Sequence, residues 1–208
     1  ARLSFVRITA LDAIGPYEVL SRLPGAELTF VAKRAGEKRS DTGRLGITAD
    51  AALADVPDPD VVLVPGGAGN RPLMSDGEVL DWLRGAHSAS RFTTSVCTGA
   101  LVLGAAGILN GVRATTHWAF RERLRELGAE PVAERVVEEG KVLTAAGVSA
   151  GIDMALLLAS RIAGQDVAEA IQLGIEYDPD PPFDAGSPAK ASQELVELVR
   201  KLESGEGG

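Results

Sequence analysis

The stretch RFTTSVCTGALVLGAAG, from Arg91 to Gly107, predicts a strand, a sharp turn and a helix in immediate succession. Arg91 to Val96 is rich in β-branched residues, which is typical of a strand buried on both faces. Thr98 to Ala106 is small and apolar, which indicates a buried helix, and Gly107 is placed to end it. Cys97 therefore falls at the turn between the strand and the helix.

Cys97 is the only cysteine of the chain, so no internal disulfide can form. A helix that starts beside it points free backbone N–H groups at its side chain, and their field favours the thiolate. The arrangement resembles the nucleophile elbow of hydrolases, although its glycine pattern differs. The alternative is a buried structural cysteine, which is the more frequent role of a lone thiol.

Outward from this stretch, strands and helices alternate along the chain. This alternation predicts an α/β fold with a mostly parallel central sheet and helices on both faces. Further strands are expected at residues 28–32 and 60–65, and a hairpin or two consecutive strands at 132–137 and 141–144. Helices are expected at 77–87, 118–127, 151–163 and 167–177.

The length of 208 residues suits one domain, and no linker or repeat divides the sequence. We therefore expect a single domain over residues 1–208, with a C-terminal proline-rich arm from about residue 178. The arm, residues 178–188, leads to a final amphipathic helix expected over residues 192–202.

The net charge of −8 argues against a nucleic-acid partner or an anionic membrane surface, which both need a basic patch. The longest apolar run, Met154 to Ala159, is too short to span a bilayer. With no signal peptide in the sequence and a lone thiol, a cytoplasmic location is expected.

A glycine-rich loop, Pro65-Gly66-Gly67-Ala68-Gly69, follows the strand at residues 60–65. Ligands of open α/β sheets bind at the carboxyl ends of strands, where this loop and Cys97 both lie. The uncovered N–H groups of Gly66, Gly67 and Ala68 could form an oxyanion hole. The alternative is a plain tight turn, because the loop matches neither a dinucleotide nor a phosphate motif.

Two other side chains are candidate partners for Cys97. Asp12 precedes a helix expected to begin at Gly15-Pro16, where an aspartate is most often an N-cap. Its alternative role is acid/base chemistry, because burial near a thiolate would raise its pKa and keep it protonated. His117 is either a base for Cys97 or a cap for the helix that follows it.

No metal site is expected, because His87 and His117 are isolated and lack clustered thiol or carboxylate ligands.

Four motifs in the same order resemble the ThiJ/PfpI family: Asp12-x-x-Gly15-Pro16-x-Glu18, Pro65-Gly66-Gly67, Ser95-Val96-Cys97-Thr98-Gly99 and residues 146–153, AGVSAGID. The resemblance extends from about residue 5 to residue 188. It implies a flavodoxin-like three-layer sandwich and a homodimer. It also implies that an acid at the position of Asp12 hydrogen-bonds the elbow cysteine.

Within that family, the sequence is similar to the isonitrile hydratases. The likeness is carried by Thr98 directly after the cysteine, by the string Ala114-Thr115-Thr116-His117-Trp118 and by the tail at residues 176–188. Protease-like members have histidine after the cysteine. Ala146 departs from the hydratase pattern, which has glycine there, and this bears on the mobility of that segment.

The resemblance implies that a small isonitrile is hydrated to an N-substituted formamide without a cofactor. Cys97 would form a covalent thioimidate, with Asp12 as general acid and base and Thr98 as the residue that positions Asp12 or water. His117 and Ser149 are possible supporting residues.

Two other functions remain open. Similar strings occur in the ligand-sensing domains of AraC-type regulators, whose DNA-binding module would not fit in the short stretch after Pro188. Other ThiJ/PfpI activities, such as a glyoxalase or deglycase reaction or a role in oxidative stress, would use the same reactive thiol.

Overall fold

A computed structural model describes residues 2–3 and 7–204 of the chain. The strands in this part are β1 Arg2–Leu3, β2 Phe30–Ala32, β3 Gly36–Arg39, β4 Gly46–Ala49, β5 Ala51–Ala52, β6 Val61–Val64, β7 Phe92–Val96, β8 Arg113–Ala114, β9 Glu130–Pro131, β10 Val136–Glu139 and β11 Val142–Ala145. The helices are α1 Ala10–Leu20, α2 Asn70–Leu73, α3 Gly77–Ala89, α4 Gly99–Ala105, α5 Arg121–Glu126, α6 Ala150–Ala163, α7 Gln165–Gly174 and α8 Gln193–Ser204.

The central sheet has the strand order β10-β11-β7-β6-β1-β2-β5. Every neighbouring pair is parallel except β10 and β11, which form an antiparallel hairpin, one of the two arrangements expected there. The chain thus has the predicted flavodoxin-like α/β fold. In register, Val64 of β6 lies opposite Ser95 of β7 and Ala145 of β11 opposite Val96, so these three strands end side by side.

Helices cover both faces of the sheet because the buried strands alternate their side chains between two cores. In β6, Val62 and Val64 belong to the core beneath α3 and α4, while Leu63 belongs to the core beneath α1, α6 and α7. This alternation follows from the two-residue period of a β-strand. It explains why the strand sequence is a continuous apolar run rather than a mixed one.

Two local predictions were wrong in detail. Helix α1 begins at Ala10, with Thr9 in the N-cap position, and not at Gly15-Pro16. Asp12 therefore lies in the first turn of α1 and is not its N-cap. The helix expected over residues 118–127 is a 3₁₀ turn at Trp118–Phe120 followed by α5.

The chain divides into two compact units, residues 1–175 and 176–208. The first contains the sheet and α1 to α7. In the second, Lys190 is paired with Asp184 at 2.6 Å, and α8 follows. A single domain with an arm from about residue 178 stays a prediction.

Among the described residues, no helix is both long and apolar enough to cross a bilayer.

The core beneath α1, α6 and α7 makes a stability prediction. Leu158 of α6 is fully buried, whereas Leu173 of α7 is 83% exposed. Leu158→Ala should lower the free energy of unfolding by roughly 2–5 kcal/mol, because it leaves a cavity between helix and sheet. The matched variant Leu173→Ala should change it by less than about 0.5 kcal/mol. Urea unfolding followed by circular dichroism measures both values, and equal losses would contradict this core assignment.

Candidate active site

Cys97 occupies the turn between β7 and α4 in a left-handed backbone conformation, with φ of +56°. This conformation costs a residue with a side chain about 1–2 kcal/mol. The surrounding backbone holds it on both sides. The Cys97 N–H donates to the carbonyls of Ala145 and Ala146, at 3.1 and 3.0 Å, and the Thr116 hydroxyl donates to the Cys97 carbonyl at 2.8 Å. The thiol, on a residue only 6% exposed, is thereby fixed at the carboxyl edge of the sheet.

The helix after the turn approaches β6 closely because Gly99 has no side chain. A Cβ atom at this position would collide with the carbonyl of Val64. The absence of a side chain therefore lets α4 begin directly against the end of β6, with its first N–H groups next to Cys97.

Asp12 is fully buried and lies against Cys97. Its Oδ2 accepts the Gly66 N–H at 2.8 Å, and its carboxyl group is hydrogen-bonded to the Cys97 side chain. Burial raises the pKa of Asp12 to about 7, although the bonds from Gly66 and Cys97 oppose this shift. At neutral pH the Asp12–Cys97 pair can therefore hold and release a proton.

Gly66 is the point at which the parts of the site meet. A Cβ atom on Gly66 would lie 2.5 Å from Asp12 Oδ2 and 2.8 Å from both Cys97 Cβ and the Thr98 nitrogen. No side chain fits there without moving one of these groups. Glycine at this position therefore allows the acid, the thiol and the start of α4 to come together.

The loop after β6 uses its amides differently from the expected oxyanion hole. The Gly66 N–H is taken by Asp12, and the Gly67 N–H donates to the Thr98 hydroxyl at 3.0 Å. Ala68 is exposed. Within residues 7–204, no group accepts the N–H of Thr98. This nitrogen and Cys97 Cβ both face Gly66. The structure thus offers the Thr98 amide, rather than those of Gly66 and Gly67, for developing negative charge.

His117 caps the turn that follows it. Its Nδ1 accepts the Ala119 N–H at 3.4 Å, and its ring packs on Gly147, where a Cβ would lie 2.5 Å from His117 Cδ2. Of the two roles expected for His117, these contacts support the cap. Ser149 is exposed and accepts a hydrogen bond from Arg135 at 3.2 Å.

Two further residues contact this region: Thr116, which the sequence offered only as part of the string at residues 114–118 with no role of its own, and Asn70, which was not named. Thr116 holds the Cys97 carbonyl, and Asn70 is buried and donates to the Thr98 hydroxyl at 3.0 Å. Thr116 lies in the quoted string before His117, and Asn70 directly follows the glycine-rich loop at the start of α2, so position next to a motif was the signal that could have found them.

Among the described residues, no group of three or more histidine, cysteine or acidic side chains is placed to hold a metal ion.

Comparison with known proteins gives a consistent set of relatives. The sequence profile described as the DJ-1/PfpI family matches residues 3–161. An isonitrile hydratase of Pseudomonas putida is 48% identical over 199 residues, which cover 96% of this chain and 87% of that enzyme. A ThiJ/PfpI family protein from Pseudomonas syringae superposes with a TM-score of 0.94 at 38% identity, covering 98% of this chain and 84% of that one.

A more distant relative is the transcriptional regulator GbdR of Pseudomonas aeruginosa, which is 28% identical over 84% of this chain. The match covers 48% of the regulator, so this chain spans about half of that protein.

The buried carboxyl group predicts a pH-dependent stability. Because the pKa of Asp12 is about 7 in the folded protein and the ordinary pKa of an aspartate is 3.8, the folded state favours the protonated acid. The stability that this group contributes is complete below about pH 4 and is lost as the pH rises to about 7. Asp12→Asn should remove this loss, so its advantage over the parent protein should grow across that window to roughly 3–5 kcal/mol.

Urea unfolding at half-unit pH steps measures this difference. Asp166→Asn, on the surface of α7, serves as the control and should follow the parent protein at every pH. Parallel curves for Asp12→Asn and the parent protein would contradict a buried acid with a raised pKa.

The crowding at Gly66 makes a separate prediction. Gly66→Ala should displace Asp12 or Cys97 and lower stability by about 1–3 kcal/mol. It should also change the pH dependence of alkylation by iodoacetamide, which reports on the single cysteine. Gly77→Ala is the matched control, because a Cβ on Gly77 meets no atom within 4 Å. An unaltered alkylation profile in Gly66→Ala would show that the pair tolerates a side chain there.

Proposed function

Because the chain belongs to the DJ-1/PfpI family, we propose that it is a hydro-lyase that hydrates isonitriles to N-substituted formamides. The observation that carries this proposal is the buried Asp12 carboxyl group hydrogen-bonded to the Cys97 thiol. It supplies a nucleophile and a proton donor at one point. The 48% identity to the isonitrile hydratase of Pseudomonas putida over nearly the whole chain supports the choice of substrate.

The first step uses the one proton shared by the pair. The terminal carbon of an isonitrile accepts a nucleophile and then needs a proton. The Cys97 sulfur bonds to that carbon while the Asp12 acid delivers the proton to it, which gives a thioimidate, R–N=CH–S–Cys97. A carboxyl group with a pKa of about 7 suits this transfer at neutral pH, because both of its protonation states are populated.

The second step returns the proton and releases the product. The Asp12 carboxylate takes a proton from water as the oxygen bonds to the thioimidate carbon, and Asp12 then passes that proton to the nitrogen. Collapse of the resulting R–NH–CH(OH)–S–Cys97 breaks the carbon–sulfur bond, which yields R–NH–CHO and the free thiol. The elements of one water molecule are added, and no oxidant, reductant or cofactor is consumed.

The surroundings of Cys97 favour the charge that develops in these steps. The Thr98 N–H stands at the start of α4 and donates to no described group, so it is available to a sulfur or oxygen anion. Gly66 and Gly67 do not contact the substrate in this proposal. Their amides hold the Asp12 and Thr98 side chains in place. His117 and Ser149 shape the neighbouring loops in this proposal and take no part in proton transfer.

The wider setting is also part of the proposal. A catalytic thiol that must stay reduced suits the cytoplasm. A homodimer is favoured by α8, whose Leu195, Leu198 and Leu202 are exposed at helical spacing and form an apolar face that a second copy could cover. The net charge of −8 does not suit a nucleic-acid or anionic-membrane partner.

A ligand-sensing role is the second candidate, because GbdR matches 84% of this chain. A sensor would bind its ligand reversibly and would not consume it. Turnover of an isonitrile therefore separates the two functions, and turnover of methylglyoxal would point to a glyoxalase-type activity instead.

The proposed reaction predicts distinct losses in two variants. Cys97→Ala should produce no formamide, because no covalent intermediate can form. Asp12→Asn should lower kcat by about 10²–10⁴-fold, which is the usual contribution of an acid/base group. Formamide and residual isonitrile, quantified by chromatography after incubation with an alkyl or aryl isonitrile, provide the measurement.

Asp166→Asn again serves as the surface control and should retain the parent activity. Formamide production by Cys97→Ala at the parent rate would sink the covalent mechanism. A parent protein that leaves every isonitrile unchanged would sink the proposed function itself.

A further inference from the structure

Asn70 stands behind Thr98, on the side of the glycine loop. It begins the short helix α2 and is 3% exposed. Its backbone N–H donates to the Gly67 carbonyl at 3.1 Å, and its side-chain Nδ2 donates to the Thr98 hydroxyl oxygen at 3.0 Å. The loop and the side chain therefore meet at the residue that directly follows Cys97.

The hydrogen bonds at Thr98 determine what its hydroxyl can still do. A threonine hydroxyl accepts two hydrogen bonds and donates one. Both acceptor positions of Thr98 are filled, by the Gly67 N–H and by Asn70, each at 3.0 Å. The remaining capacity is the O–H donor, and no described residue accepts it. The Thr98 hydroxyl can therefore form a further hydrogen bond only as a donor, to a molecule bound next to it.

The carboxamide of Asn70 is not explained by stability alone. Its Oδ1 is buried and has no hydrogen-bond partner among the described residues. A buried polar atom without a partner is unfavourable, and an apolar side chain of similar size would avoid that cost. The NH₂ group that faces Thr98 is the part of the Asn70 side chain that makes a hydrogen bond. This favours a role at Thr98 over a role in packing.

We propose that Asn70 is a positioning residue that, together with the Gly67 amide, fixes the Thr98 hydroxyl as a hydrogen-bond donor to the intermediate on Cys97. This inference rests on the proposed hydratase function. The nitrogen of the thioimidate is the basic atom of that intermediate. A hydrogen bond from Thr98 to this nitrogen makes the adjacent carbon more electrophilic and so assists the attack of water. Asn70 itself touches no reacting atom.

The test compares four proteins: the parent, Asn70→Asp, Thr98→Val and the double variant. An aspartate at position 70 can accept the hydroxyl proton of Thr98, which would turn the donor away from the intermediate. Asn70→Asp should therefore lower kcat for isonitrile hydration about 10–100-fold, with KM changed by less than about threefold. On the Thr98→Val background the same change should have no further effect on kcat, because no hydroxyl remains to be positioned.

The chain offers one matched control, since Asn110 is its only other asparagine and is exposed. Asn110→Asp should leave kcat and KM at the parent values. Circular dichroism and thermal melting establish that each variant is folded. If Asn70→Asp does not fold, Asn70→Ser takes its place, because it shortens the donor and leaves the Thr98 hydroxyl free to reorient. The same comparison on the Thr98→Val background then applies.

The outcomes separate this inference from the function beneath it. Parent turnover with an unchanged kcat in Asn70→Asp would overturn the role of Asn70 alone. So would an equal loss of kcat from Asn70→Asp with and without the Thr98 hydroxyl, because Asn70 would then act by another route. A parent protein that makes no formamide would overturn the proposed function and this inference together. A loss of kcat that disappears on the Thr98→Val background supports both.

Discussion

The close approach of Gly66 to Asp12, Cys97 and Thr98 is the contact on which the whole site depends. Three segments far apart in sequence meet there, because β6 and β7 end side by side and Asp12, in the first turn of α1, bonds to Gly66 just after β6. The meeting is possible only where side chains are missing, at Gly66 for the carboxyl group and at Gly99 for the start of α4. The left-handed turn at Cys97 is then held by hydrogen bonds from both neighbouring segments rather than by its own preference.

A buried acid with a raised pKa is unfavourable for folding at neutral pH and useful for chemistry. Burial disfavours the carboxylate of Asp12, and the Gly66 amide and the Cys97 thiol only partly compensate. The acid therefore keeps a proton within reach of the sulfur under conditions in which an exposed aspartate would have lost it. Burying Asp12 lowers the stability of the fold at neutral pH and lets the same residue transfer a proton. This relation between folding and function is common at active sites.

The fold and the place of Cys97 at a turn between strand and helix could be predicted because their signals are local. Apolar runs, glycine breaks and the elbow at Cys97 each lie within a few neighbouring residues, and the pairing of Asp12 with Cys97 came from family resemblance. The details that could not be predicted depend on distant partners. Gly66 bonds Asp12 across 54 positions, and Gly67 and Asn70 bond Thr98 across 31 and 28. No spacing rule in the sequence shows that the amides of Gly66 and Gly67, which were expected to face a ligand, instead bond the side chains of Asp12 and Thr98. The start of α1 was placed too late because the Gly15-Pro16 pair dominates its local pattern, while packing decides where the helix begins.

The unfavourable features of the site favour catalysis over simple binding. A domain that only senses a ligand needs shape and hydrogen bonds, and apolar or neutral residues supply both. Here Cys97 has a disfavoured backbone conformation, Asp12 is buried with a raised pKa, and Asn70 leaves a buried oxygen without a described partner. Each feature lowers stability, and all three converge on the thiol or on the residue next to it. Their combined cost is understandable if the thiol must be activated, if Asp12 must protonate the adduct on it, and if the product must then be released. Reversible binding requires none of these steps, so the energetics of the fold support the hydratase proposal over the sensor.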